Sequence, residues 1–347
     1  MLSVKKEKGE NIGIQLPPII FGTSSLGNLY QSIDYETKRN IIKECIEHSF
    51  GKALFDTAGK YGAGLALEVL GKSLSDLNIH PDDVVICNKL GWYQTELLTP
   101  EPTFEKDVWM DLKNDAVQQI SFDGIMKCFN QGNRLLGIYS AKMVSVHDPD
   151  EYLGMAKDKI EEEQRYEDIL EAYRALAALK RQKAVTSIGI GAKNWKVIER
   201  VSADVELDWV MIANSLTVKS HPEDLVRFIA DLNDKNIQVI NSAVFNGGFL
   251  VGSDFYNYQR VDKSTEQGMA LYQWRNNFFS LCSKFNVKPA EICFDFGFNI
   301  PGVSSIALNT TRPEKIKENI MMINKRIPEG FWKAMQEEQL ISIPVIR

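Results

Sequence analysis

The sequence predicts a single-domain (β/α)8 TIM barrel of the α/β class, on three observations. Eight short apolar runs alternate with eight longer amphipathic stretches from end to end. The apolar runs are near-continuous Val, Ile and Ala, as expected of a parallel sheet covered by helices. No Pro-, Gly- or Ser-rich linker and no low-complexity run divides the 347 residues, a length that α/β barrels reach as one unit.

The expected strands are, in order, PPIIFGTSS (17–25), ALFDTA (53–58), VVICNKL (84–90), MVSVHD (143–148), SIGIGA (187–192), DWVMIAN (208–214), IQVINSAV (237–244) and VSSIAL (303–308). Helices are expected at 34–49, 64–75, 119–136, 162–183, 193–201, 222–235, 266–286 and 313–322. Ser220 is the expected N-cap of the sixth helix and Thr311, with Pro313 and Glu314, that of the eighth, because a short polar side chain can accept from the free first-turn N–H groups. The segments at about 91–118 and 245–265 are expected as long loops at the active-site end.

Composition narrows the function class. Forty Lys and Arg against 46 Asp and Glu give a net charge of -6, the reverse of the basic excess that phosphate-backbone binding requires, so nucleic acid is not an expected partner. No apolar run reaches the ~18 residues of a membrane helix, and the N-terminal MLSVKKEKGENIG has charges but no following apolar region, which predicts a cytoplasmic protein. Five dispersed cysteines with no C-x-x-C pair favour neither structural zinc nor a disulfide framework, and read as small buried hydrophobes. No metal is expected.

In such a barrel the reactive groups sit where strands end. Asp56 closes ALFD, Tyr61 follows in TAGKYG, Lys89 closes VVICNK and His147 closes MVSVH. Each alone has a bland reading: a turn former, a packing residue, a surface charge, a core histidine. Neighbouring strand ends, however, would bring all four to one mouth. A Tyr hydroxyl with a pKa near ~10 needs a buried cation to lose its proton near neutrality. Lys89 is the expected cation, Asp56 its compensating partner, and His147 the donor to a substrate oxygen. The set reads as a proton relay for carbonyl and alcohol interconversion. Gly62-x-Gly64 imitates half of a dinucleotide fingerprint, but position 67 is Leu, where the third glycine would stand.

Through LPPIIFGTSSLG, FDTAGKYG with LALEVLGKSL, VVICNKLG and VHDPDEY, nearly the whole chain resembles the aldo-keto reductase family. The resemblance implies the barrel, a nicotinamide cofactor, NAD or NADP, extended across its C-terminal face, and a catalytic tetrad of Asp56, Tyr61, Lys89 and His147. ISFDGIMKCFNQGNRLLG, HDPDEY and FNGGFLVGSDFYNYQ are similar to the sugar-oxidising branch of D-threo-aldose 1-dehydrogenases and L-fucose dehydrogenases. That branch oxidises C1 of an aldose to a lactone, and Tyr61 would take the hydroxyl proton.

For the cofactor, the resemblance implicates Gly22 and Thr23 after the first strand and Asn194, beside Lys193, after the fifth. At the last βα unit, where a helix start favours phosphate, it implicates Asn309, Thr310, Arg312 and Lys315, with Glu318 and Asn319 near the adenine. Met211 and Asn241 stand where many relatives carry a Gln and a stacking Tyr. Trp92, Tyr93 and Phe245, with Trp109 and Tyr256, are the aromatic residues expected to stack on a sugar. Other readings are an aldehyde or ketone reductase, a pyridoxal dehydrogenase, a non-catalytic nicotinamide-binding subunit and a metal hydrolase. The expected partner is a small sugar or aldehyde; oligomeric state is left open.

Overall fold

The computed structural model describes residues 15–343; the N-terminal MLSVKKEKGENIG lies outside them. In chain order the elements are β1 (Ile19–Gly22), α1 (Tyr35–His48), β2 (Ala53–Ala58), α2 (Leu65–Asp76), β3 (Val84–Leu90), β4 (Trp92–Glu96), β5 (Asn114–Gln118), α3 (Phe122–Leu135), β6 (Met143–His147), α4 (Pro149–Gly154), α5 (Lys159–Arg181), β7 (Ser187–Ala192), α6 (Trp195–Asp204), β8 (Trp209–Ala213) and α7 (Glu223–Asp234). There follow β9 (Gln238–Ser242), β10 (Phe255–Tyr256), β11 (Gln259–Arg260), α8 (Glu266–Lys284), α9 (Pro289–Asn299), β12 (Val303–Leu308), α10 (Glu314–Met321) and α11 (Glu329–Glu337).

Eight strands close the barrel in the order β1-β12-β9-β8-β7-β6-β3-β2, every pairing parallel. Side chains alternate across each strand, so one row of each faces the barrel axis. Ile20, Leu54, Cys87, Met143, Trp209, Met211 and Ile240 form that inner cluster. The outer rows pack on the helices in one large core. Gly189 makes room inside: a Cβ there would lie 2.2 Å from the Trp209 ring.

The eight expected helices are present with ends shifted by up to three residues. Both expected caps are corrected. The α7 N-cap is Pro222, because the Ser220 N–H is drawn into a tight turn onto Thr217 Oγ1. The α10 N-cap is Pro313, without a side-chain cap bond, and Thr310 Oγ1 accepts from the Arg312 N–H just before it. The sequence did not announce α4, α9 or α11. In α9 the run Ile292–Gly297 is wholly buried, so the amphipathic period that marks a surface helix is missing.

The two expected long loops contain structure. In the first, β4 and β5 form an antiparallel ribbon whose connection, 97–113, folds back over the barrel mouth. In the second, β10 and β11 make a short antiparallel pair. All five cysteines are buried and unpaired to one another. Among the described residues no helix is long and apolar enough to cross a membrane, and no group of three or more His, Cys, Asp or Glu could hold a metal ion.

Candidate active site

The inward rows of three adjacent strands end in charged or polar groups. Leu54 is followed two residues on by Asp56, Cys87 by Lys89, and Met143, through Ser145, by His147. The same period that fills the barrel with apolar side chains delivers these three to its rim. Lys89 Nζ lies 2.6 Å from both carboxylate oxygens of Asp56, and the two residues are 3% and 4% exposed. The stem of Lys89 passes over Gly191, whose Cβ position is 3.5 Å from Lys89 Cδ.

Tyr61 is set by backbone contact. A Cβ on Gly27 would stand 2.7 Å from the Tyr61 carbonyl carbon, and one on Gly62, at φ +62°, would stand 2.4 Å from the Gly27 oxygen. Only glycine permits so close an approach. The phenol then lies over Lys89, with Nζ 4.8 Å from its ring centroid, and edge-on to the His147 ring at 5.4 Å. All four expected residues are thus brought together.

Their electrostatics differ in one respect from expectation. Burial pushes the Tyr61 phenol up; Lys89 pulls the other way, as expected, but does not overcome burial and the added push of Asp56 and Asp148. Tyr61 is therefore protonated at neutral pH. Burial alone would lower the Lys89 pKa, yet Asp56, Tyr61 and Cys87 outweigh it and hold the ammonium above its ordinary range. His147 is held well below the usual imidazole range by burial and by Lys60, Lys89 and Lys193. A protonated phenol and a neutral imidazole side by side can give a proton and a hydrogen bond to one oxygen.

The expected cofactor residues divide. Asn309 ties the end of β12 to the turn after β1: its Oδ1 accepts from Ser25 Oγ at 2.7 Å and its Nδ2 donates to Ser24 Oγ at 3.0 Å. Gly22 abuts it, and a Cβ on Gly22 would stand 3.3 Å from Asn309 Cβ. Thr23 is buried, its hydroxyl donating to the Asp56 carbonyl at 3.0 Å. Arg312, Glu318 and Asn319 lie on or just before α10, Arg312 and Glu318 exposed and Asn319 half-buried. Lys315 pairs with Glu318 at 2.8 Å.

Asn194 is exposed, and its Oδ1 is taken up capping α6 through the Lys196 N–H. The buried amide at this rim is Asn214, at the end of β8, whose Oδ1 has no partner among the described residues. Asn246, whose Nδ2 donates to the Asn214 carbonyl at 3.1 Å, likewise keeps an unpartnered Oδ1. Met211 faces the barrel interior, while Asn241 turns outward, donating to the Leu216 and Gly297 carbonyls.

Of the expected aromatic residues, Trp92 joins Trp109, Phe104 and Tyr61 in a small cluster under the 97–113 connection, with Trp109 5.7 Å from the Tyr61 ring. Tyr93, one residue on and so on the opposite face of β4, packs on the main core with Phe245 and Tyr256. Three residues escaped sequence reasoning: Asn214, Tyr258, whose ring centroid lies 5.7 Å from Lys193 Nζ, and Lys60. Lys60 is 3% exposed and meets Glu105, Glu151 and Asp148 at 2.7, 2.9 and 3.6 Å. Its only sequence signal was a lysine inside the Gly-rich loop that carries Tyr61.

The model of the Aldo/keto reductase family matches residues 18–339. The chain is 24% identical over 344 residues to the pyridoxal 4-dehydrogenase of Microbacterium luteolum, covering 95% of this chain and 96% of that protein. It is 23% identical over 344 residues to the D-threo-aldose 1-dehydrogenase of a Pseudomonas species, covering 96% and 97%. The fold matches that of an aldo-keto reductase from Bacillus halodurans, solved in its holo form, with a TM-score of 0.65, 17% identity and coverage of 95% and 94%. The chain belongs to the aldo/keto reductase family.

Proposed function

We propose that this aldo/keto reductase interconverts a hydroxyl and a carbonyl on a small polar substrate, oxidising C1 of an aldose to the lactone with NAD or NADP as hydride acceptor. The observation that carries the chemistry is the buried Asp56–Lys89 pair beneath Tyr61 with neutral His147 edge-on to it. Tyr61 exchanges the proton of the reacting oxygen, His147 hydrogen-bonds that oxygen, and Lys89 keeps a positive charge under the phenol. Asp56 keeps that ammonium charged in a site where an unpaired cation would be costly to bury.

The rim fits a nicotinamide dinucleotide. The unpartnered Asn214 oxygen can accept from a carboxamide, and Arg312 with the start of α10 can meet a phosphate. When bound, the oxidised cofactor supplies a hydride acceptor and a positive charge. Because Tyr61 is protonated in its absence, oxidation should quicken as pH rises, whereas reduction, in which Tyr61 gives up its proton, needs no such deprotonation.

The aldose reading draws on the Pseudomonas relative and on the indoles of Trp92 and Trp109 beside Tyr61, faces on which a pyranose can stack. A second reading, an aldehyde substrate such as pyridoxal, draws on the Microbacterium relative. The test is absorbance of reduced nicotinamide with NAD or NADP and L-fucose, D-arabinose, L-galactose or pyridoxal. Signal growth with a sugar supports anomeric oxidation. Growth with pyridoxal alone transfers the site to the second reading, and silence with all four refutes the aldose assignment.

A further inference from the structure

Lys60 stands outside the four residues that carry the proposed chemistry, yet it joins everything around them. Its ammonium is held by carboxylates from two separate segments: Glu105 on the 97–113 connection, and Asp148 and Glu151 after β6. Glu105 is shared. One carboxylate oxygen meets Lys60 Nζ at 2.7 Å, and the other accepts from the Trp109 indole N–H at 2.7 Å. The Trp109 ring in turn lies on Tyr61 at 5.7 Å. The turn holding Glu105 is strained, with Glu105 and Asp107 at φ +43° and +61°, a conformation that surrounding contacts must hold in place. On the other side, Asp148 Oδ2 stands 3.6 Å from His147 Nε2 and 3.6 Å from Lys60 Nζ.

We propose that Lys60 is a positioning residue: through Glu105 it holds the Trp109 indole against Tyr61, and through Asp148 and Glu151 it fixes a positive charge beside His147. The inference rests on the reading of Tyr61 and His147 as the reacting pair. The charged and titratable groups that act on His147 are Lys60 and Tyr61 from the loop after β2, Lys89 from β3, Asp148 and Glu151 after β6, and Lys193 from the loop after β7. Lys193 pairs with Glu151 and lies 3.8 Å from Asp148, whereas Lys60 also reaches Glu105 and so bridges to the 97–113 connection. Removing Lys60 takes away a cation that opposes protonation of His147 and leaves Asp148 and Glu151 less compensated. Both changes favour the imidazolium.

The test uses the full chain and two readouts that need no turnover. The His147 C2–H signal, identified by its loss in His147→Gln, is followed against pH. Acrylamide quenching of Trp109 is taken as the difference between each protein and its Trp109→Phe counterpart. In Lys60→Met the His147 midpoint should move upward and Trp109 quenching should rise at least twofold; Lys60→Arg should restore both. Glu105→Gln should raise quenching and leave the His147 midpoint within error. Wild-type behaviour of Lys60→Met in either readout overturns the assignment. If Lys60→Met does not fold, unchanged quenching in Glu105→Gln overturns it. A wild-type protein without turnover on any substrate would fail the functional reading while leaving both readouts intact, so the two failures are distinguishable.

Discussion

The strand-end ring and the covering connection over it are built differently. Asp56, Lys89 and His147 are placed by the register of adjacent parallel strands, Asp56 opposite Cys87 and Lys89 opposite Ser145, and each is at most 4% exposed. The 97–113 connection is placed by one small apolar cluster, Phe104 and Trp109 with Trp92 and Tyr61, and by a few polar contacts, among them Lys60 to Glu105, the Asn28 amide to the Met110 carbonyl at 2.9 Å, and the Tyr30 N–H to the Val108 carbonyl at 2.8 Å. The ring is rigid because moving one member would mean moving a strand. The connection can be re-formed around a different ligand by exchanging a handful of side chains. On the proposed reading, reaction type would belong to the ring and substrate choice to the connection.

The largest expected effect breaks the ring. Lys89→Met leaves the Asp56 carboxylate buried without its cation, and should cost about 3–5 kcal/mol in denaturant unfolding. It should also slow oxidation further at every pH, because the charge that draws the Tyr61 pKa down is gone. A Lys89→Met protein as stable as wild type would remove the ion pair from the account.

A smaller effect probes the ring through pH. His147 is depressed in the fold, while an unfolded histidine titrates near ~6.5. Above that pH neither state carries the proton. Below it only the unfolded chain takes it up, so stability falls as pH falls, by up to about 1.4 kcal/mol per pH unit for one group. His221, also lowered by burial, adds a parallel slope. Between about pH 6.5 and 5, His147→Gln should flatten the dependence of Tm on pH without abolishing it; an unchanged slope would contradict the buried neutral ring.

The covering connection should respond in binding more than in folding. Trp109→Phe keeps a ring on Tyr61 and removes the indole N–H bond to Glu105, which should cost about 1 kcal/mol in stability and raise KM for the preferred substrate several-fold, seen in steady-state kinetics. Smallest of all, Lys315→Ala removes an exposed pair with Glu318 and should change stability by less than about 1 kcal/mol. Its expected trace is a change in the ratio of NADP to NAD affinity.

The same contrast governs what the sequence could tell. Asp56, Lys89 and His147 were legible because each ends an apolar run, and period-two alternation carries such a residue inward. Tyr61 followed from its place in the adjoining loop. Lys60 was not, because its partners Glu105, Asp148 and Glu151 are 45 to 91 positions away and only closure of the barrel brings them together. The capping of α6 by the Asn194 oxygen was not read from the sequence, although an Asn at a helix start is suited to it. Tyr93 lies on the face of β4 opposite Trp92, a separation visible only once the expected loop proved to be a ribbon. The Tyr61 pKa went against expectation because burial, invisible in sequence, outweighs a single neighbouring charge.

The central claim is that Tyr61 exchanges the proton of the reacting oxygen, and Tyr61→Phe tests it most directly, because it keeps the ring on Trp109 and His147 and removes only the hydroxyl. With cofactor and substrate saturating, turnover should fall by about 10²–10⁴-fold while cofactor affinity stays as in wild type. Turnover equal to wild type under those conditions would contradict the account.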